Sequence, residues 1–291
     1  MEDTLSSRQT RLNHACNTLL ATPEQWRFVC SALPHAERPL QRAAYARWAD
    51  AHLHTHQQRE ILFCIEGDTY QRFGEKIYPC HPGTVFLFDV NEAHAVNYPL
   101  DDAPFKHIWI MVLANDAIAS IYSHQNGQVA EQRNPPVVFN KVDRDALVRA
   151  WDLAKSPLDW MSADLCRTAL QTAIFSLLFR AMAKWQSSTD DAGRVRRHQD
   201  IVAAIQRHIE THLAESENLD ALAHLSGYSK FHFSRMFKKC TGQTVNGFIN
   251  QCRIDRAQTM LEAGELCKAI AGELGFLSPA AFSNWRRRHR L

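Results

Sequence analysis

Leu222-Ala223-x-x-x-Gly227-Tyr228 and Ile270-Ala271-x-x-x-Gly275-Phe276 are one pattern written twice, 48 positions apart. Behind each glycine runs a short helical segment with an inward aromatic and a basic outer face. The first is Ser229-Lys-Phe-His-Phe-Ser-Arg-Met-Phe-Lys-Lys239, the second Ser278-Pro-Ala-Ala-Phe-Ser-Asn-Trp-Arg-Arg-Arg288. An apolar helix, a tight glycine turn and a second helix with exposed basic and polar groups read as a helix-turn-helix. In that motif the second helix enters the DNA major groove. Two in tandem predict one protomer touching two groove segments.

The flanking residues support the helices. Asn218, Ser229 and Ser278 stand where a side-chain oxygen can take the free N–H groups of a first turn. Pro279 occupies the first helical position, where a missing N–H costs nothing. Thr244 opens a long helix to about Leu261 that joins the two halves. Upstream, Ile201, Val202, Ile205, Ile209 and Leu213 fall on one helical face. Phe233, Phe237 and Phe282 are expected to lock the second helices inward, and Gly227 and Gly275 to sit where a β-carbon is costly.

Charge follows the same division. The chain has 291 residues and a formal net charge of +2, yet residues 194–291 carry 15 Lys and Arg against 9 Asp and Glu. The remainder carries 18 against 22. A basic C-terminal part suits a polyanion-binding module joined to something else. Hydrophobic residues make up 45% and charged residues 22%, a globular composition. No apolar run approaches the roughly 20 residues of a membrane span, and the N-terminus lacks the pattern of a signal peptide. Eight cysteines, scattered singly without C-x-x-C spacing, fit free thiols in a reducing cytoplasm.

The N-terminal part has another texture. Short β-segments are expected at 61–65, 68–73, 76–78, 84–88, 95–98 and 106–112, punctuated by Gly67, Gly74, Pro82-Gly83 and Pro99. Close-spaced short strands indicate a sandwich or small barrel. Helices follow at 143–155 and 164–185. The second carries an apolar stripe from Leu165 to Ala181, fit for packing on the sheet or for a dimer seam. Residues 187–194, polar and small, read as a linker. The predicted fold is α+β, with a β-rich domain with flanking helices at 1–186 and an all-α domain at 195–291.

Residues 195–291 resemble the AraC/XylS family of bacterial transcriptional regulators. The resemblance rests on Phe-Ser-Arg-Met-Phe-Lys-Lys-Cys-Thr-Gly at 233–242, on Phe248-Ile-x-x-x-Arg253-Ile-x-x-Ala257-x-x-Met-Leu261, and on Ile270 to Phe276. It implies that promoter double-stranded DNA and RNA polymerase are partners. Phe231, Ser234 and Arg235 in the first motif, and Ala280, Ser283 and Asn284 in the second, are then the expected base readers. Arg to guanine and Asn to adenine are the geometric matches. Lys230, Lys238, Lys239, Arg287 and Arg288 are expected on phosphates, setting register. The chain departs from the family at Val245, where proline is usual, at Asn284, where arginine is common, and at Arg286, where an aromatic is expected. These departures put the packing and DNA contribution of the second motif in question.

His54-Thr-His56-x-x-x-Glu60-x6-Gly67, then Pro82-Gly83 and His94, resemble the two cupin motifs, with Trp48 in place of the leading glycine and Asp89 in place of a proline. The resemblance implies a double-stranded β-helix, or jelly-roll. His54, His56, Glu60 and His94 would meet in one pocket, with Trp48 and Trp109 beside it. Three imidazoles and a carboxylate can hold a divalent Fe, Mn, Ni or Zn. The same groups can instead bond a polar ligand, so no cofactor is required. The reading that follows is a homodimeric, cytoplasmic, non-enzymatic regulator, an activator that responds to a small polar metabolite such as a sugar. A metal-dependent cupin enzyme fused to a DNA-binding domain is the alternative, and a repressor whose cupin only dimerises is a third.

Overall fold

The computed structural model describes residues 14–33, 38–39, 46, 49–95, 104–125, 128–130, 136–187, 191–214 and 218–291. The chain divides into two compact units between Arg194 and Val195.

The first unit is built on two sheets. Strands β1 (Arg27–Val29), β6 (Thr84–Phe88), β3 (Arg59–Glu66), β8 (Phe105–Val112), β9 (Ala117–Gln125) and β10 (Gln128–Ala130) lie side by side in that order. β11 (Val137–Phe139) pairs with the other end of β9. The second sheet has the order β2 (Leu53–His54), β7 (His94–Ala95), β4 (Thr69–Phe73) and β5 (Lys76–Cys80). From β2 to β8 the chain keeps crossing between the sheets. Side chains alternate across a strand, so each strand of the large sheet has two faces. Ile61, Phe63, Ile65, Val85, Leu87, Ile108 and Ile110 form one core with the helices α1 (Lys141–Lys155) and α2 (Ala163–Ser187). Glu60, Leu62, Cys64, Phe86, Phe88, His107 and Trp109 take the opposite face, toward the small sheet.

The apolar stripe of α2 packs inward. Leu170, Ile174, Leu177, Leu178 and Ala181 are buried in the core under the sheet, which favours packing over a seam for these residues. Leu165 and Phe179 stay exposed. The expected linker at 187–194 is corrected in part. Ser187 ends α2, and 191–194 already belong to α3 (Asp191–Thr211), whose polar start is helical despite Gly193. Residues 188–190 lie outside the described residues.

The second unit is helical. After α3 come α4 (Leu219–Ser226), α5 (Lys230–Thr241), α6 (Val245–Glu262), α7 (Cys267–Glu273) and α8 (Pro279–His289). The expected caps are present. Asn218 accepts from the Asp220 N–H, Ser229 from His232, Thr244 from Gly247 and Ser278 from Ala281. Ile201, Val202, Ile205, Ile209, Phe233, Phe237 and Phe282 are buried. Gly227 closes α4 in the left-handed region at φ 73°. Gly275 does more than turn: at φ 74°, a β-carbon there would lie 2.6 Å from the Ala214 carbonyl oxygen. Arg253, buried in α6, ties this corner together. Its Nε donates to Leu274 O (3.1 Å), its Nη2 to Leu213 O (3.5 Å), and its guanidinium lies over Phe276.

Candidate functional site

Two surfaces follow from this frame. The first belongs to the helical unit. On α5, Phe231, Arg235 and Lys238 are exposed, with Ser234 half-buried, all on the side away from Phe233 and Phe237. Spacings of three, four and seven place them on one stripe. On α8, Ala280, Ser283, Asn284 and Arg287 repeat that stripe 49 positions later, and Lys239 and Arg288 correspond beside it. The glycines repeat at 48, so one residue has been added between turn and helix. It is Leu277, fully exposed and missed by sequence reasoning. Lys230 is held by Asp220 at 2.8 Å, and Arg287 donates to Asn284 Oδ1.

The unusual second pair is packed by a substitute. Trp285 lies 5.2 Å from Phe276 and 6.1 Å from Phe282 between ring centroids, and its Nε1–H donates to Asn250 Oδ1 at 3.0 Å. Trp285 thus fills the place of the missing aromatic one position early. Arg286, freed from the core, donates from Nε to the Leu291 carbonyl at 2.8 Å. Val245 is buried at the first turn of α6, behind the Thr244 cap, and the helix starts without proline.

The second surface lies between the two sheets. His54 on β2 and His94 on β7 are direct partners. Glu60 reaches them from β3, and His56 from the segment between β2 and β3. His56 Nε2 lies 3.2 Å from both His94 Nε2 and Glu60 Oε1, and His94 Nε2 lies 3.5 Å from Glu60 Oε2. One ligand atom from each of the three histidines falls within 4.8 Å of the others. Each ring is held from behind. His54 Nδ1 faces His52 O (3.1 Å), His56 Nδ1 faces Gln58 O (2.8 Å) and His94 Nδ1 faces Glu92 O (2.8 Å). A carbonyl only accepts, so each Nδ1 carries a proton and each Nε2 is left for the centre of the cluster. Burial draws the His54 pKa down. For His56 burial acts the same way, but the Glu60 carboxylate outweighs it and the pKa is raised.

Four of the expected pocket residues therefore come together. Trp109 sits further in: it is 1% exposed and stacks on Phe88 at 5.9 Å, which in turn stacks on His94 at 4.2 Å. Trp48 lies outside the described residues. Asp89, at the place of the motif's proline, has a structural task. It accepts from Arg59 at 2.8 Å and pairs with Lys155, and these cations hold its carboxyl below the usual range against the opposing effect of burial.

Sequence reasoning missed polar groups on the same inner faces. Gln71 is wholly buried on β4, two residues from Thr69 and therefore facing the large sheet, and among the described residues neither end of its amide has a partner. Ser120 on β9, opposite Trp109 in the register, is likewise buried with an unpartnered hydroxyl. An unmet buried amide or hydroxyl costs roughly 1–3 kcal/mol unless a water or a guest meets it. Which face they take depends on strand register, which no local spacing reveals.

Comparison with known proteins finds a family match in each unit. A model of the AraC-like ligand binding domain matches residues 40–196, and a helix-turn-helix domain model matches residues 222–290. Regulatory protein SoxS of Salmonella typhimurium is 37% identical over 92 residues, 31% of this chain and 86% of that protein. The uncharacterized HTH-type transcriptional regulator YbfI of Bacillus subtilis is 23% identical over 223 residues, 77% of this chain and 78% of that one. The HTH-type transcriptional activator Btr of Bacillus subtilis is 26% identical over 233 residues, 77% of this chain and 41% of that one. Among the described residues no helix is long and apolar enough to cross a membrane. With a ligand-binding model spanning more than half of its length and a helix-turn-helix match behind it, the chain belongs to the AraC family of DNA-binding transcriptional regulators.

Proposed function

We propose that this chain is a cytoplasmic, homodimeric activator whose N-terminal unit, a cupin jelly-roll, binds a small polar metabolite such as a sugar. Its C-terminal unit reads promoter DNA with two helix-turn-helix motifs and presents the bound protein to RNA polymerase. The unpartnered Gln71 amide between the sheets carries the effector part of this reading. Polar groups that lack protein partners suit a guest with several hydroxyls, held beside His54, His56, Glu60 and His94. Arg235 and Asn284, on equivalent positions of two exposed stripes, carry the DNA part. They would meet base edges along with Phe231, Ser234, Ala280 and Ser283, while Lys230, Lys238, Lys239, Arg287 and Arg288 would meet phosphates. An effector changes activity only through unequal affinity for two states of the protein.

The three Nδ1–carbonyl contacts favour a second reading for the histidine cluster. They present three Nε2 lone pairs and a carboxylate as a metal site would, with Fe, Mn, Ni or Zn as candidates, and an enzyme could use such a site. The test is the double substitution of His56 and Glu60 by alanine, read by effector response and by operator binding. Loss of the response with operator binding intact supports the sensor. Turnover of a small substrate that depends on metal and disappears in the double variant favours the enzyme.

A further inference from the structure

The inner face of the large sheet carries a second cluster, made of groups that neither surface above uses. Cys64 on β3 and His107 on β8 are direct cross-strand partners. Cys80, at the end of β5 in the small sheet, meets them from the other side, with its Sγ 3.8 Å from His107 Nε2. All three residues are fully buried. One ligand atom from each lies within 4.8 Å of the others.

We infer that Cys64, Cys80 and His107 form a buried, three-ligand binding site for one zinc ion, separate from the histidine cluster. The ligand types are those of structural zinc centres. Zinc–sulfur and zinc–nitrogen bonds of about 2.3 and 2.0–2.1 Å set sulfur and nitrogen about 3.6–3.8 Å apart across a tetrahedral or trigonal angle. The Cys80–His107 separation already matches. Charge selects among thiophilic ions. Two thiolates neutralise Zn2+, whereas monovalent copper would leave an uncompensated negative charge in a fully buried site, which is costly. Binding releases the two thiol protons, and the neutral imidazole of His107 completes the set.

The surroundings agree with this assignment. Thr69 is the direct partner of Cys80 in the β4–β5 register, and both are fully buried. Burial acts to raise the Cys80 thiol, but Cys64, His107 and Thr69 outweigh it and hold its pKa down, while burial keeps Cys64 high. The Cys64 sulfur stands 3.6 Å from the Gly67 and Cys80 carbonyls, contacts a thiol proton makes and a metal would replace. A bound ion would clasp β3 and β8 of one sheet to β5 of the other.

The test uses full-length protein, purified without chelators or immobilised metal, incubated with zinc and then desalted. Elemental analysis and X-ray absorption at the zinc edge are the readouts. The expected result is a zinc ion with sulfur neighbours at about 2.3 Å. That zinc should be lost in Cys80→Ser and retained in the His54→Ala/His94→Ala double variant. Zinc with only nitrogen and oxygen neighbours, sulfur-bound zinc that survives Cys80→Ser, copper in its place, or no metal at all would overturn the assignment. If Cys80→Ser fails to fold, the sulfur shell of the wild-type protein, with and without Cys64→Ala, decides the matter.

Discussion

Gly275 offers a sharp test of how the second helix pair is seated. Replacing it with alanine meets two separate obstacles. The residue sits at φ 74°, and a left-handed conformation costs an L-residue about 1–2 kcal/mol. The new β-carbon would also lie 2.6 Å from Ala214 O, 2.7 Å from its Cα and 3.0 Å from its carbonyl carbon. These are backbone atoms of the turn that follows α3, so no side chain can swing away, and relief requires moving the backbone. Overpacking of this kind costs about 1–3 kcal/mol. Gly242 is the matched control: its φ is 77°, and a β-carbon there meets nothing within 4 Å. Gly242→Ala should therefore cost only the conformational part, and Gly275→Ala about 1–3 kcal/mol more. Urea unfolding followed by far-UV circular dichroism measures both. Hydrogen exchange should show added opening of α7 and α8 in Gly275→Ala alone. Equal destabilisation by the two substitutions would refute the close approach of the turn to Ala214.

Other expectations follow from buried groups. Gln71→Leu should raise stability by about 1–3 kcal/mol, because an unmet amide disappears, and should abolish the thermal shift given by the effector; a destabilised variant would mean that Gln71 is bonded. His208, buried on α3, has its pKa lowered from 6.5 to about 4, chiefly by burial and then by His212. Its folded form is neutral while the unfolded chain takes up a proton below pH 6.5, so stability is complete above that pH and is lost as the pH falls toward 4. The contribution lost by pH 5 is about 2 kcal/mol, and His208→Leu should flatten that part of the pH–stability curve. Arg253→Met should cost about 2–4 kcal/mol, since the Leu274 carbonyl loses a charged donor in a buried corner; a loss below 0.5 kcal/mol, the level of a surface change, would remove Arg253 from the frame.

The parts legible in the sequence were those encoded locally. Caps, glycine turns and aromatic anchors announce themselves over a few residues, and the helices of the second unit begin and end near the expected positions. The strands expected at 61–65, 68–73, 76–78, 84–88 and 106–112 are visible as apolar runs between turns. β9 was not: Ala117-Ile-Ala-Ser-Ile-Tyr-Ser-His-Gln125 is diluted by small residues, and its strand character comes from its partner β8. β2 is two residues long and exists because it pairs with β7; of the segment expected at 95–98, Ala95 lies in β7 and 96–98 lie outside the described residues. At the site, the spacing of His54, His56, Glu60 and His94 revealed a cluster. Gln71, Ser120 and the Cys64–Cys80–His107 group remained hidden, because register between distant strands brings them to the inner face. Arg286 illustrates a different limit. The missing aromatic predicted a weak second motif, and only the packing of Trp285 shows how the gap is filled.

The central claim is that α5 and α8 read bases while flanking cations hold phosphates. Its most direct test is fluorescence anisotropy of full-length protein on its own promoter site and on random duplex, over a range of salt, for wild type, Arg235→Ala and Lys239→Ala. Arg235→Ala should cost about 1–3 kcal/mol at the promoter site and little on random DNA. Lys239→Ala should weaken both nearly equally and reduce the salt slope by about one. Equal losses on the two duplexes for Arg235→Ala, with a reduced salt slope, would make it a phosphate contact and contradict the account.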